Sequence, residues 1–188
     1  MATAARLRVN IAGVDAQAVR KLAFYYGRGA AAAAATSGGG VAAQQAGEQE
    51  EAASFPLDGS AQTPRTVVQA LAGVPEIQWE LWDLTSDIQP EQRQLLHSSA
   101  QALIMVCSGP DEANLWAAEF RVVHTSAPIV LVLQSGAPGD SFTGFDTTNL
   151  AGIYYFDASN GHGVDEIFEA VACAVLSPAQ ATKRCNVQ

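Results

Sequence analysis

Asp83 falls in the stretch E-I-Q-W-E-L-W-D-L-T-S, Glu76 to Ser86, and places a carboxylate where an apolar run meets a polar loop. Ile77, Trp79 and Leu81 lie two apart, the period of a strand with one covered face, so Asp83 is expected at a strand's C-terminal end. In open α/β sheets that edge is where ligands bind. Read alone, the same residue is also a solvated loop carboxylate or a helix N-cap. Gly13 closes an earlier alternating run, Leu7, Val9 and Ile11, and marks a turn that needs glycine whatever it binds. At the other end Cys185-Asn-Val-Gln has the C-a-a-X form, with a final glutamine of the type that favours farnesylation and Lys183-Arg184 before it. Asn186 departs from that pattern, and one lipid with two basic residues gives only marginal membrane attachment. His97, His124 and His162 have no metal-ligand spacing and read as ordinary surface histidines, the three cysteines form no C-x-x-C, and no G-x-S-x-G elbow is present.

These residues need elements to hold them. The run to Gly13 predicts a first strand, and Asp15 then caps a helix with apolar positions at Ala16, Val19, Leu22, Ala23 and Tyr26. From Gly27 to about Gln62 periodicity is lost through six alanines, three glycines and a Gln/Glu-rich piece, which reads as a disordered low-complexity insertion. Pro64 to Ala72 reads as a second strand or a helical turn. Ile77 to Leu84 is the third strand, and Pro90 starts a helix reaching about Ser99. Ala102 to Cys107 is a continuous apolar run suited to the middle of a parallel sheet. Asp111 caps a helix with an inner face of Ala113, Trp116, Ala117, Phe120 and Val123. Pro128 to Leu133 and Ile153 to Phe156 complete the strands, and Val164 to Val175 form the last helix. The expected fold is α/β, three-layered, with a mostly parallel six-stranded sheet and helices on both faces, over 1–176 with a flexible tail at 177–188.

The chain has 188 residues, nearly half of them apolar, enough for one domain with its own core. Ten basic against nineteen acidic residues, a formal charge of −9, exclude the clustered cations of a nucleic-acid footprint. An odd number of unclustered cysteines fits a reducing, cytoplasmic setting. Neither a signal peptide nor a membrane span is expected.

Taken in order, the first strand with Gly13, E-L-W-D-L-T-S, P-I-V-L-V-L, and Y-Y-F-D-A-S-N-G-H-G-V-D-E-I-F-E-A-V resemble, in register, the phosphate loop, switch II motif, guanine-motif strand and S-A-K loop of Ras-like small GTPases. E-L-W-D-L-T-S-D and P-I-V-L-V-L-Q-S-G-A-P-G are most similar to the Rab-like subunits of the intraflagellar transport complex. The resemblance implies a Ras-like P-loop G-domain fold but not its chemistry. A phosphate loop needs G-x-x-x-x-G-K-[ST], and counting from Gly13 those positions fall on Ala18, Val19 and Arg20. Arg20 or Lys21 could offer a cation to phosphates but hold no magnesium. Asp83 keeps the magnesium-side carboxylate, whereas Ser86 and Asp87 replace the motif's glycine and catalytic glutamine. Gln134-Ser135-Gly136-Ala137 lacks the guanine-pairing Asp, and of S-A-K only Ala158 is kept.

The implied protein is a pseudo-GTPase: a protein-interaction adaptor or complex subunit in intracellular or ciliary transport, not an enzyme, with no cofactor and no magnesium. Gly13, Arg20, Lys21, Asp83 and Ala158 are its vestigial nucleotide site, Cys185 its lipidation candidate, and Trp82, Leu84 and Ile88 its partner surface. The alternatives are an atypical GTP-binding protein that uses Arg20 or Lys21 on the phosphates, and a flavodoxin-like or receiver domain. The receiver is disfavoured by the lack of a lysine after Leu133 and of an acidic pair after the first strand.

Overall fold

The computed structural model describes residues 5–37, 65–69, 77–134 and 144–176. Along β1 (Ala5–Ala12), Leu7, Val9 and Ile11 point to one face and are buried, while Arg6, Arg8 and Asn10 point to the other. A short turn leads to α1 (Ala16–Ser37). Then follow β2 (Arg65–Gln69), β3 (Ile77–Leu84), α2 (Pro90–Ser98), β4 (Ala102–Cys107), α3 (Pro110–Val123), β5 (Ile129–Gln134), β6 (Leu150–Phe156) and α4 (Val164–Leu176).

The six strands form one sheet in the order β2-β3-β1-β4-β5-β6, parallel except for the edge strand β2, which runs antiparallel to β3. Helices α1 and α4 cover one face and α2 and α3 the other, so the fold is the expected three-layer α/β arrangement. On the first face Tyr26 of α1 stacks on Phe168 of α4, ring centroids 3.6 Å apart, and both meet the buried Trp79 edge-on. The second face packs Leu84, Met105, Trp116, Phe120 and Leu131. No helix of the described residues is long and apolar enough to cross a membrane.

Two expectations need correction. Helix α1 continues through the six alanines to Ser37 rather than ending near Gly27. Alanine is a poor nucleator in isolation, but here it prolongs a helix already nucleated and docked by Val19, Leu22 and Tyr26, and propagation is easy once that is done. Residues 38–62 of the expected insertion, and the tail at 177–188 with Cys185, lie outside the described residues. On α3 the N-cap is Gly109 with Pro110 at the first helical position, and Asp111 and Glu112 belong to the first turn. That shift of register frees Glu112 for another contact.

Candidate functional site

The chain leaves β1 toward α1 on one face and β4 toward α3 on the other, so the crevice of this sheet opens between the C-terminal ends of β1 and β4. Gly13, Val14 and Asp15 form its first wall. Only these three residues separate β1 from α1, which leaves no length for a loop to wrap around phosphates. Gly13 is also fixed by packing: a Cβ built on it would meet the Val106 carbonyl oxygen at 2.5 Å and Val19 Cγ2 at 3.0 Å. Its N–H donates to the Leu84 carbonyl at 3.2 Å, tying β1 to β3.

The amides that would face an anion here are already occupied by the protein's own carboxylates. Asp15 caps α1, its Oδ1 accepting from the N–H groups of Gln17 at 2.9 Å and Ala18 at 3.1 Å. Gln134 Nε2, from the end of β5, donates to Asp15 Oδ2 at 3.5 Å. Glu112 reaches across from α3: Oε1 accepts from Val14 N–H at 2.8 Å, and Oε2 accepts from the N–H and hydroxyl of Ser108 at 3.1 and 3.2 Å. One carboxylate thus bridges the ends of β1 and β4. Helix N-termini and clustered amides attract anions, and in this crevice the anions are Asp15 and Glu112.

The other candidates for a nucleotide site are scattered. Ala18 and Val19, at the positions of the second glycine and the lysine, are buried in the first core. Arg20 and Lys21 follow on α1, half-exposed, with no ion pair to the crevice carboxylates among the described residues. Asp83 does not project from a loop. β3 runs on to Leu84, and Asp83 is half-buried inside the strand opposite Ile11. Ala158 lies partly buried against the first core, in a turn organised by Asp157. That carboxylate accepts from the Ser159 N–H and hydroxyl and from Asn160 Nδ2, bonds that hold its pKa below the usual range, Ser159 contributing most. A surface hollow of about 440 Å³ beside this turn is lined by Asn160 to Glu166, and Asp165 and Glu166 oppose a phosphate there. Among the described residues no group of three His, Cys, Asp or Glu side chains is placed to hold a metal.

The expected partner surface is corrected in the same way. Leu84 is 0% exposed, a core residue of the second face, and Ile88 is half-buried against that core. The loop after β3 is held internally rather than waiting for a ligand: Thr85 donates its hydroxyl to Asp87, Ile88 N–H donates to the Thr85 carbonyl, and Arg93 Nη1 donates to the Ile88 carbonyl at 2.6 Å. Trp82 alone of the three packs in neither core among the described residues; it is half-buried on the strand face that also carries Glu80. Its Nε1 donates to Glu80 Oε1 at 3.1 Å and the Arg8 guanidinium sits 6.0 Å from its ring. Glu80 is bonded by Arg6 at 2.6 Å and Arg8 at 2.5 Å. Burial pushes the Glu80 carboxyl up, but its hydrogen bonds from Arg8, Arg6 and Trp82 outweigh that and the net shift is down.

Sequence reasoning passed over this cluster, although its signal was present: Arg6, Arg8, Glu80 and Trp82 all occupy the strand positions opposite the apolar ones. It also missed a buried polar group under α2, where Arg93 forks onto Glu119 at 2.8 and 3.0 Å; His97, expected at the surface, is instead fully buried there and meets Asn10. Neither group carries a motif spacing, because each is assembled from separate elements. No protein-family model and no curated protein matches the chain.

Proposed function

We propose that the chain is a Ras-like pseudo-GTPase domain that works by binding protein partners, as an adaptor or complex subunit. The observation that carries this reading is the filled crevice between β1 and β4. Its amides are bonded to Asp15 and Glu112, and the side chain at the lysine position, Val19, faces the core. A triphosphate would have to displace two carboxylates, in a protein already at −9, without the charge-assisted hydrogen bonds of a lysine. The α/β sheet with helices on both faces supports the fold half of the reading. Trp82, Arg8 and Arg6, half-buried or exposed on one face of the sheet, support a partner face, since aromatic and arginine side chains are the usual anchors of interfaces. The resemblance to Rab-like intraflagellar transport subunits names the first class of complex to test.

The test is nucleotide itself. Purified protein, denatured and extracted, should release no stoichiometric GTP or GDP, and millimolar GTP with magnesium should leave the melting temperature unchanged. A rise of several degrees, which mass action requires of any tight ligand, refutes the reading in favour of an atypical GTP-binding protein.

A further inference from the structure

Helix α2 is joined to the rest of the protein chiefly through polar groups. His97 is its only fully buried residue, Leu96 packs partly against the second core, and Leu95 is 72% exposed. The imidazole of His97 sits between three elements. From β1, the buried Asn10 sets Nδ2 2.9 Å from His97 Nδ1, so that ring nitrogen accepts and the neutral ring carries its proton on Nε2. From α3, Glu119 places Oε1 3.7 Å from Nε2, beyond hydrogen-bond reach, and Phe120 lies edge-on with centroids 5.3 Å apart. Past the end of α3, His124 Nε2 donates to the His97 carbonyl at 2.7 Å. On α2 itself, Arg93 holds Glu119 and lies 5.2 Å over the Trp116 ring. Asn10 Oδ1 and His97 Nε2 are buried without a hydrogen-bond partner.

This site favours a neutral ring over a charged one. A proton added at Nδ1 would require the Asn10 amide to turn over so that Oδ1 accepts it, and the new charge would stand in a pocket closed to water. Burial dominates; Glu119 attracts the cation, but Arg93 and His124 oppose it, and the pKa is held down at about 4. Once α2 moves away, water reaches the ring and the ordinary value near 6.5 applies.

We propose that α2 is an acid-released element: proton uptake by His97 detaches the helix from β1 and α3 while the sheet stays folded, uncovering Trp116 and Phe120. A segment with one buried side chain belongs to the least stable part of a structure and can open before the sheet. The sign follows from linkage. The docked state binds the proton more weakly, so docking is undiminished above about pH 6.5 and is lost as pH falls toward about 4.

Amide hydrogen exchange on the full chain, corrected for intrinsic rates, tests this residue by residue. Between about pH 7.5 and pH 5, opening at Leu95 to Ser98 should rise about 30-fold, the ratio set by the two pKa values, while β4 amides change far less. His97→Gln keeps a neutral acceptor and should abolish the rise; His124→Gln should keep it. A rise under about 3-fold, a parallel rise in β4, or an undiminished rise in His97→Gln overturns the proposal. If His97→Gln does not fold, the contrast between α2 and β4 in the unsubstituted protein decides alone.

Discussion

Gly13→Ala separates two accounts of the glycine that closes β1. If Gly13 serves a phosphate, its replacement harms ligand binding and leaves stability nearly untouched. If it serves packing, the cost appears in folding. The geometry favours the second. An added methyl would stand 2.5 Å from the Val106 carbonyl oxygen, inside any relaxed carbon–oxygen contact, and 3.0 Å from Val19 Cγ2. Neither neighbour can yield freely: Val106 belongs to a central strand paired with β5, and Val19 is 0% exposed in the first core. Overpacking of this kind costs about 2–3 kcal/mol, which for a chain of this size lowers the melting temperature by roughly 5–10 °C. Gly109 is the control. A Cβ there meets nothing within 4 Å and the residue is the N-cap of α3, so Gly109→Ser should be neutral or slightly stabilising. Urea unfolding of the three proteins reads the difference directly. A loss below about 0.5 kcal/mol in Gly13→Ala would refute the packing account, because a surface substitution does no more than that.

Three further outcomes follow from the same contacts. Leu84→Asp should cost on the order of 4 kcal/mol or more and yield little folded protein, since it buries an unpaired carboxylate in the second core; soluble expression with a native melting temperature would show the side chain to be exposed. Glu112→Gln keeps the shape but turns one acceptor toward an N–H as a donor, and should lower stability by about 1–2 kcal/mol in urea titration without creating nucleotide binding. Arg93→Ala strands Glu119 and frees the Ile88 carbonyl, for about 2–4 kcal/mol, and Arg93→Lys should recover less than half of it, because an ammonium cannot span both carboxylate oxygens; equal stability of the Lys and Arg proteins would rule out the fork as the source.

The periodicity of Leu7 to Ile11, the continuous apolar runs at Ala102 and Ile129, and the stripe from Val164 made the layers of the sheet legible without coordinates, because each is a local pattern read within one element. What failed were readings that depend on register between elements. Leu84 is correctly placed in the third strand, but its periodicity does not say what covers it; paired with Ala12 in the parallel register, it lies inside the second core. Glu112 looks like one of several surface acids until Gly109 is seen to cap α3, which aims that carboxylate at Val14 and Ser108. Counting motif positions from Gly13 puts Ala18, Val19 and Arg20 where a phosphate loop has glycine, lysine and a hydroxyl, but says nothing of what the amides of the crevice are bonded to. The amides at the ends of β1 and β4 are free to take acceptors from water, from a ligand or from the protein itself. In this chain Asp15 and Glu112 supply them from within, and that internal supply is a stronger argument against a bound nucleotide than the missing lysine. A missing cation only weakens a site, whereas an intramolecular carboxylate competes with every phosphate that approaches it.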